Sequence, residues 1–506
     1  MTPARTVKIG VDARDSIIKG ADTLADAVKL TLGPHGLNGI YVKGGTKITN
    51  DGVSIAKEIA LEDEIEQLGV VALREASEKT NDEAGDGTTT AITLAQAILR
   101  SLKPYLLKKG QYDSRKSLAE LRKLVKKETE DIIKILVDSA VPIETEQQLI
   151  DAARVSVEDE VLAEMIGKAQ FKVGKNGVVI AEEHAKPVDI VEHVKGIRMD
   201  NGFGTSLIIN DQEKQRLVES DIPVILTNHD LNSLKDLEQI ISQIRKSGGT
   251  KLAIVARSFS NETIQLCMKN HEVGYMIYPI NAPYVDQTQV MKDMAAVLGG
   301  SFINKEEKDL DSVQMSDLGF ATRIVAERFS AIFTGKDDVD VSARVAELEK
   351  MLEGSPSAFE RTMIESRLAQ LQNGFAIVKV GSTSDQERKY KKDKVDDAVN
   401  AVRAAYQEGV VRGGGYALKS IGLEMPEDSI LREAIQAPYN QIQDNAGEEF
   451  EIPEWVYDPV KVVRIALEKA SSVAMTLATT GVAIAQPRPK ARYVQEVDKQ
   501  DDGENL

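Results

Sequence analysis

Cysteine is nearly absent: Cys267 is the only one in 506 residues. No disulfide can form within the chain, which suits a reducing compartment. A lone thiol is more often a small buried side chain than a nucleophile, and Cys267 is read that way. Aromatic residues make up only 5%, with a single tryptophan, so the core must be mainly aliphatic. Basic residues are outnumbered, 63 Lys and Arg against 80 Asp and Glu, leaving a formal charge of −17. That balance argues against a nucleic-acid partner, because sequence-independent binding needs a basic footprint. It favours a protein kept soluble by self-repulsion. No run of 18 apolar residues is present, so no membrane span is expected. The opening MTPARTVKIG is polar and has no apolar stretch of the kind a secretory signal needs. The expected location is the cytoplasm.

The length exceeds one ordinary domain and implies two to four. Apolar residues at 42% and charged residues at 28% match a globular protein. The first third reads as helices. Ile17, Ile18, Leu24, Val28 and Leu32 recur at near-helical spacing over 15–32, and Gly33-Pro34 stops that run. Residues 39–49 predict two short strands about a Gly-Gly turn, and 63–80, 88–103 and 114–138 predict helices. In the middle, VGKNGVVIAE (173–182) predicts a hairpin turning at Asn176-Gly177. Short strands at 222–227 and 252–256 alternate with helices at 231–246 and 261–271, an α/β pattern that predicts a separate unit over about 195–375. A helical hairpin is expected over 341–371, broken at Gly354-Ser355-Pro356, with helices again at 394–408 and 460–480. The last 22 residues are polar and punctuated by proline, so a flexible tail is expected.

The segment richest in chemistry is NDEAGDGTTTA, residues 81–91. Two glycines flank Asp86, three threonines follow, and an apolar helix begins at once. A helix N-terminus offers free N–H groups and a positive dipole end, which suits phosphate. An aspartate beside a polyphosphate suits Mg²⁺, which takes one or two carboxylates with phosphate and water. A lone G-D-G-T would be an ordinary helix start after a turn. Six specified letters, however, recur by chance on the order of once in 10⁷ to 10⁸ positions. Three further segments are weaker alone. TLGPHG (31–36) is a helix end with a Gly-Pro turn; Asp51 in TNDGVSIAKEIALED is a helix cap or turn residue; Asp396 and Asp397 are expected to open a helix, followed by Gly413-Gly414-Gly415 before another. No Walker A box, Rossmann fingerprint or protein-kinase signature set occurs.

Taken together these segments resemble the group I chaperonins of bacteria and organelles. TLGPHG, DGVS (51–54), GDGTTTA, VGKNGVV, IVKVGS (377–382), DDAVNAVRAA, EGVVRGGG, AGEE (446–449) and DP (458–459) stand in the family's order over nearly the whole chain. The group II branch shares GDGTT, but VSIAKEIALED and IVKVG are more similar to group I, and 195–375 leaves no room for a built-in lid.

The resemblance implies a multidomain α+β chaperonin fold. Residues 1–132 and 408–506 would form a helical equatorial ATPase domain, 133–194 and 376–407 a small intermediate hinge domain, and 195–375 an α/β apical domain that holds client proteins. It implies ATP, Mg²⁺ and K⁺ as cofactors. Asp86 would hold Mg²⁺. Gly87, Thr88, Thr89 and Thr90 would surround the phosphates, facing Thr31, Leu32, Gly33 and Pro34. The carbonyls of Thr31 and Asn50 with the Thr89 hydroxyl would hold K⁺, although the family usually has Lys at position 50. Asp397 would activate the attacking water with Asp51 nearby, and Gly414 and Asp458 would touch the ribose side. Phe203, Leu207, Ile208, Ile241, Ile264 and Met268 would bind apolar client segments. Glu238 and Lys269 stand where the family is usually apolar. The partners implied are unfolded proteins, other copies of the chain in a sevenfold homo-oligomeric ring, and a co-chaperonin.

Three departures stand out. Only eight residues (450–457) separate AGEE from DP, where the family has a much longer segment. The Gly-Met-rich tail is missing, and a Gly-Phe-Gly-Asp-Arg-Arg loop is reduced to Tyr284-Val285-Asp286-Gln287. Two other readings compete: a non-folding ATPase or small-molecule kinase that uses GDGTTT, and a structural ring without hydrolysis. The apical-type segment and the lack of a base for a substrate hydroxyl oppose the first. The presence of Asp51, Asp86 and Asp397 together opposes the second.

Overall fold

The computed structural model describes residues 5–42, 46–106, 118–157, 159–175, 177–184, 186–212, 215–336, 338–354, 356–447 and 450–486. The Gly44-Gly45 turn, Asn176, Ser355, the acidic pair of AGEE and the tail from 487 lie outside them. The chain divides into two compact units, one of residues 1–141 and 410–506, the other of 142–409. The segment expected to form the apical domain and residues 142–194 and 376–407 of the expected hinge fall together in the second unit.

The first unit is a helical bundle. Its helices Val11–Val28, Glu64–Ala84, Thr88–Leu102, Leu118–Asp138 and Val460–Ala478 share one aliphatic core that includes Leu24, Leu73, Ile98, Leu121, Val460 and Leu467. Burying such side chains contributes roughly 1.5–3 kcal/mol each before entropy is charged against it. The first two helices cross backbone to backbone. A Cβ on Gly20 would stand 1.8 Å from the Glu66 carbonyl oxygen, and one on Gly69 would stand 1.9 Å from that of Ile17. The helix Leu118–Asp138 runs unbroken past position 132, with Ile132 and Leu136 both in this core. The first compact unit accordingly extends to position 141.

Small antiparallel ribbons, two of them carrying exposed apolar side chains, complete the unit. Thr6–Ile9 pairs with Val482–Ala485, and Gly39–Val42 pairs with Thr46–Thr49. In the first ribbon Ala483 and Ala485 are buried, so the alternate positions Val7, Ile9, Val482 and Ile484 face outward.

Among the described residues the second unit carries two larger sheets and a two-stranded parallel pair, Asp230–Leu231 with Ser258–Phe259. One has three strands in the order Val178–His184, Phe375–Gly381, Ile190–Val194, the first pair parallel and the second antiparallel. The helices Glu146–Val157, Glu160–Val173 and Asp385–Glu408 accompany it. The other has seven strands, with Met276–Asn281, Lys251–Ala256 and Leu217–Thr227 parallel, Gly319–Ala326, Ala331–Thr334 and Gly196–Met199 following antiparallel, and the short Phe302–Ile303 parallel to the end of Leu217–Thr227. The strands predicted at 222–227 and 252–256 lie at its centre, where both faces are covered and the sequence is continuously apolar.

Charge also holds this unit. Asp293 is fully buried and accepts from Arg344 Nε at 2.6 Å and from Arg367 Nε at 2.5 Å. Arg344 and Arg367 come from the two arms of the helical hairpin, Ser342–Glu353 and Ala358–Asn373. One carboxylate on the helix Gln287–Leu298 thus ties down both arms.

Three local readings are corrected. Residues 173–182 are not a hairpin: the helix Glu160–Val173 ends at Gly174 and a strand starts at Val178. Its strand partner is Phe375–Gly381, about 200 residues later in the chain. The helix expected over 231–246 is confined to Glu238–Lys246, after a two-residue strand and a short 3₁₀ turn. The helix expected to open at Asp396 begins at Asp385, capped by the Ser384 hydroxyl. Cys267 is buried, and desolvation pushes its thiol up to about 12, so it is a packing residue rather than a nucleophile.

Candidate functional site

The first unit gathers most of the nucleotide-type segments. Gly85 ends the helix Glu64–Ala84 in the left-handed conformation (φ 77°), and Gly87 (φ 83°) starts the helix Thr88–Leu102 in the same region. A side chain at either position would be strained, so the Gly-Asp-Gly spelling is what this turn requires. Asp86 is held between them, and its Oδ1 accepts from Gly87 N at 2.5 Å. The N-cap residue of the Thr88 helix is Gly87, which has no side chain to cap it. Elsewhere in this unit Asp51 and Asp63 do cap, each accepting two backbone N–H groups. The Thr88 helix thus starts at a residue that carries no capping oxygen of its own, and a helix N-terminus of this kind suits an anion.

Asp51 occupies its expected capping role. Its Oδ1 accepts from Val53 N at 3.0 Å and its Oδ2 from Ser54 N at 2.9 Å. That cap also aligns the next residue with the phosphate-type loop, because a Cβ on Gly52 would meet Thr89 Oγ1 at 2.3 Å and Val28 Cγ1 at 3.0 Å. Three segments named for the K⁺ site thus converge here. Thr89 lies against Gly52, two residues beyond Asn50, and Val28 begins the turn that carries Thr31. The Thr31 hydroxyl donates to Val28 O at 2.9 Å.

The loop of Leu32, Gly33 and Pro34 is pinned from the far end of the sequence. Asn445 Nδ2 donates to Lys29 O at 3.0 Å and to Leu32 O at 2.8 Å. A Cβ on Gly33 would meet Ile442 at 3.0 Å, and the His35 and Phe450 rings meet edge to face with centroids 5.2 Å apart. Asn445 has no signal of its own in the sequence beyond standing next to AGEE.

Asp458 closes the other side. The strand Tyr457–Pro459 pairs with Val410–Arg412, and this brings Asp458 to the glycine triplet. Asp458 Oδ2 accepts from Gly415 N at 3.2 Å. Burial pushes its carboxyl up to about 6, against the amides of Gly415 and Gly414, and the charge of Asp86 adds to the rise. Asp86 and Asp458 are therefore electrostatic neighbours. Among the described residues no group of three or more His, Cys, Asp or Glu could hold a metal unaided. This donor set fits Mg²⁺, which would take Asp86 together with phosphate oxygens and water.

A match to the TCP-1/cpn60 chaperonin family spans residues 24–428. The chain belongs to this family. It is also similar to the chaperonin gp146 of bacteriophage EL 2 (Pseudomonas aeruginosa), solved in two crystal forms in the presence of ATP-BeFx. Identity is 20%, and the match covers 94% of this chain and 98% of that one, with TM-scores of 0.69 for form II and 0.61 for form I. The fold is that of a chaperonin, an ATP-dependent molecular chaperone.

Further chaperonin residues lie in the second unit. Asp397 sits inside the helix Asp385–Glu408, twelve residues from its start, so it is not a helix-terminal charge. Its neighbours Val395, Ala398 and Val399 are buried and fix the helix face that carries it. The client-type residues divide. Leu207 is 69% exposed, on a short turn capped by the Thr205 hydroxyl. Phe203 is half-buried and bridges to Ile280 of the seven-stranded sheet. Ile208 is corrected: at 4% exposure it belongs to the core of that sheet and offers no surface to a client. Ile241, Ile264 and Met268 are half-buried on their helices, with Ile241 and Met268 packed partly against the core.

Proposed function

We propose that this chaperonin is of the group I type, that it binds and slowly hydrolyses Mg-ATP, and that it captures and releases non-native proteins. The observation that carries the reading is the Thr88 helix, which starts at Gly87 with Asp86 at its mouth and with Asp458 and the glycine triplet nearby. The leading amides of that helix and the hydroxyls of Thr88, Thr89 and Thr90 bind the phosphates. Thr31, Leu32, Gly33 and Pro34 border the nucleotide, Gly414 and Asp458 meet its ribose, and Asp86 takes Mg²⁺. The metal neutralises charge on the phosphate oxygens when bound. The carbonyls of Thr31 and Asn50 with the Thr89 hydroxyl hold K⁺. Asp397 activates the attacking water, assisted by Asp51.

The chain works as three domains with a hinge, in a homo-oligomeric ring of seven that accepts a co-chaperonin. Assembly is supported by the two ribbons of the first unit, whose outward side chains include Val7, Ile9, Ile40, Val42, Ile48 and Ile484, each more than half exposed. Clients dock on Phe203 and Leu207 and on the helices that carry Ile241, Ile264 and Met268. ATP shifts the population toward the state that releases them.

Titration of Asp86→Ala with ATP at high and low Mg²⁺ tests the site. Weakened binding that extra Mg²⁺ partly restores supports the assignment. Unchanged affinity at both concentrations leaves Asp86 as a turn residue only.

A further inference from the structure

The turn at 29–34 leaves one carbonyl without the partner a helix would give it. Leu32 is extended (ψ 133°) and Gly33 is left-handed (φ 83°), so the chain departs from helical geometry there. In a continuing helix Gly36 N would donate to Leu32 O; it donates to Gly33 O instead, at 2.9 Å. The donor for Leu32 O comes from 413 positions away in the sequence. Asn445 Nδ2 reaches it at 2.8 Å, and the same nitrogen donates to Lys29 O at 3.0 Å. Carbonyl oxygens can be met only by the NH₂ end of an amide, and Gln441 Nε2 donates to Asn445 Oδ1 at 2.8 Å, which fits that orientation. Both ends of the Asn445 amide are thus engaged.

The helix that carries Asn445, Ala437–Ala446, touches both loops that border the proposed site. Toward its C-terminal end Ile442 packs at Gly33, where a Cβ would meet its Cγ1 at 3.0 Å. Gln443 holds Phe450 by both backbone groups, Nε2 donating to Phe450 O at 2.9 Å and Oε1 accepting from Phe450 N at 2.8 Å, and the Phe450 ring meets His35. At the N-terminal end the backbone lies against the glycine triplet: a Cβ on Gly415 would stand 2.6 Å from Tyr439 N. Cations over aromatic rings anchor that end. Lys419 Nζ is 3.7 Å from the Tyr439 ring centroid, the Arg412 guanidinium is 4.0 Å from that of Tyr416, and the two rings meet edge to face at 6.2 Å. The helix is therefore a strut seated at the triplet, and Asn445 ties the 29–34 turn to it.

We infer that Asn445 is a positioning residue for the nucleotide: by donating to the carbonyls of Lys29 and Leu32 it holds residues 31–34 in the place that bound ATP needs relative to the glycine triplet. The inference rests on the nucleotide reading of this site. Asn445 acts through the turn, so it supports bound ATP in the ground state and the transition state alike. Its loss should raise KM and leave kcat nearly unchanged.

Full-length Asn445→Ala, Asn445→Asp and Asn445→Gln are compared with wild type by calorimetric titration with Mg-ATP, steady-state hydrolysis and urea denaturation. The aspartate variant keeps the shape and lacks the donor, whereas the glutamine variant keeps the donor. Loss of the donor in Asn445→Ala and Asn445→Asp should raise Kd and KM by about tenfold, with kcat within roughly threefold of wild type. Asn445→Gln should recover part of that loss. Wild-type Kd and KM in a folded Asn445→Ala, or a fall in kcat with KM unchanged, overturns the inference and leaves the nucleotide site standing. So does an Asn445→Gln that binds as weakly as the variants without the donor, which would mark a packing role. If Asn445→Asp does not fold, Asn445→Ala and Asn445→Gln decide. Failure of the wild type to bind Mg-ATP overturns the site assignment itself, and the inference with it.

Discussion

A methyl group on Gly52 would stand 2.3 Å from the Thr89 hydroxyl. The start of the helix Gly52–Glu58 is therefore seated directly on the first turn of the Thr88 helix, and Asp51 reaches its cap position through that contact. Gly52→Ala should displace Thr89 and cost about 1–3 kcal/mol, the usual penalty of overpacking. ATP affinity should fall with it by roughly tenfold or more. Urea denaturation and nucleotide titration of the variant measure the two effects. A variant with wild-type values in both would show that the loop adapts freely.

Asp458 makes stability depend on pH in a defined direction. Its folded-state value of about 6 lies above the ordinary 3.8, so between those values the folded chain binds more protons than the unfolded one. Stability contributed by the protonated form is complete near pH 4 and is lost as pH rises through 6, by up to about 3 kcal/mol. Asp458→Asn should remove this loss, so the variant gains on wild type as pH rises from 4 to 7, while its ATP affinity falls. Denaturation of both proteins at pH 4.5 and 7 without nucleotide reads the difference. A constant gap between them would contradict the burial of this carboxylate.

Asp293 has two arginine partners and no exposure. Asp293→Ala leaves Arg344 with Glu347 and Arg367 with Asp286, but it removes the fully buried carboxylate that the two arms share and should cost about 3 kcal/mol. The loss should fall on the second unit, where the hairpin arms come loose. Limited proteolysis should cut near 342–373 first. Nucleotide binding by the first unit should persist, which an ATP titration on the same sample checks.

Leu207 and Ile208 are adjacent in sequence and opposite in environment. Leu207→Ser should reduce capture of a denatured test protein and leave the melting temperature within a degree or two of wild type, as surface changes usually do. Ile208→Ser should cost roughly 2–5 kcal/mol, through a cavity and a buried hydroxyl. Light-scattering suppression assays alongside thermal melts separate the pair. Equal destabilisation by both would place Leu207 in the core as well.

The sequence was legible where a local rule fixes the outcome. Gly85-Asp86-Gly87 requires two left-handed residues before a helix, and the structure has them. The stripes of the helical hairpin and the apolar runs at 222–227 and 252–256 also became the expected elements. It was not legible where a distant partner decides. Val178–His184 is a strand because Phe375–Gly381 lies beside it, so the Asn-Gly turn signal was overridden by tertiary pairing. The polar run from Asp385 has no apolar periodicity to announce a helix, yet the Ser384 cap and the buried Lys392 carry the helix back to that point. The Asp293 cluster and the Gln443 and Asn445 clamps join residues many positions apart, and each member alone looks like a surface residue. Ile208 could not be told from a client contact, because an apolar side chain beside a sheet serves either purpose.

The central claim of the proposal is that ATP bound at the Thr88 helix releases captured proteins and that its hydrolysis resets the chain for another round. Asp397→Ala tests it most directly, in a multiple-turnover assay that follows ATP hydrolysis and recovery of a denatured enzyme together. The account predicts normal ATP binding, normal capture, hydrolysis slowed by about 10²- to 10⁴-fold, and recovery that stops after one round. Wild-type hydrolysis with full repeated recovery in Asp397→Ala would contradict it.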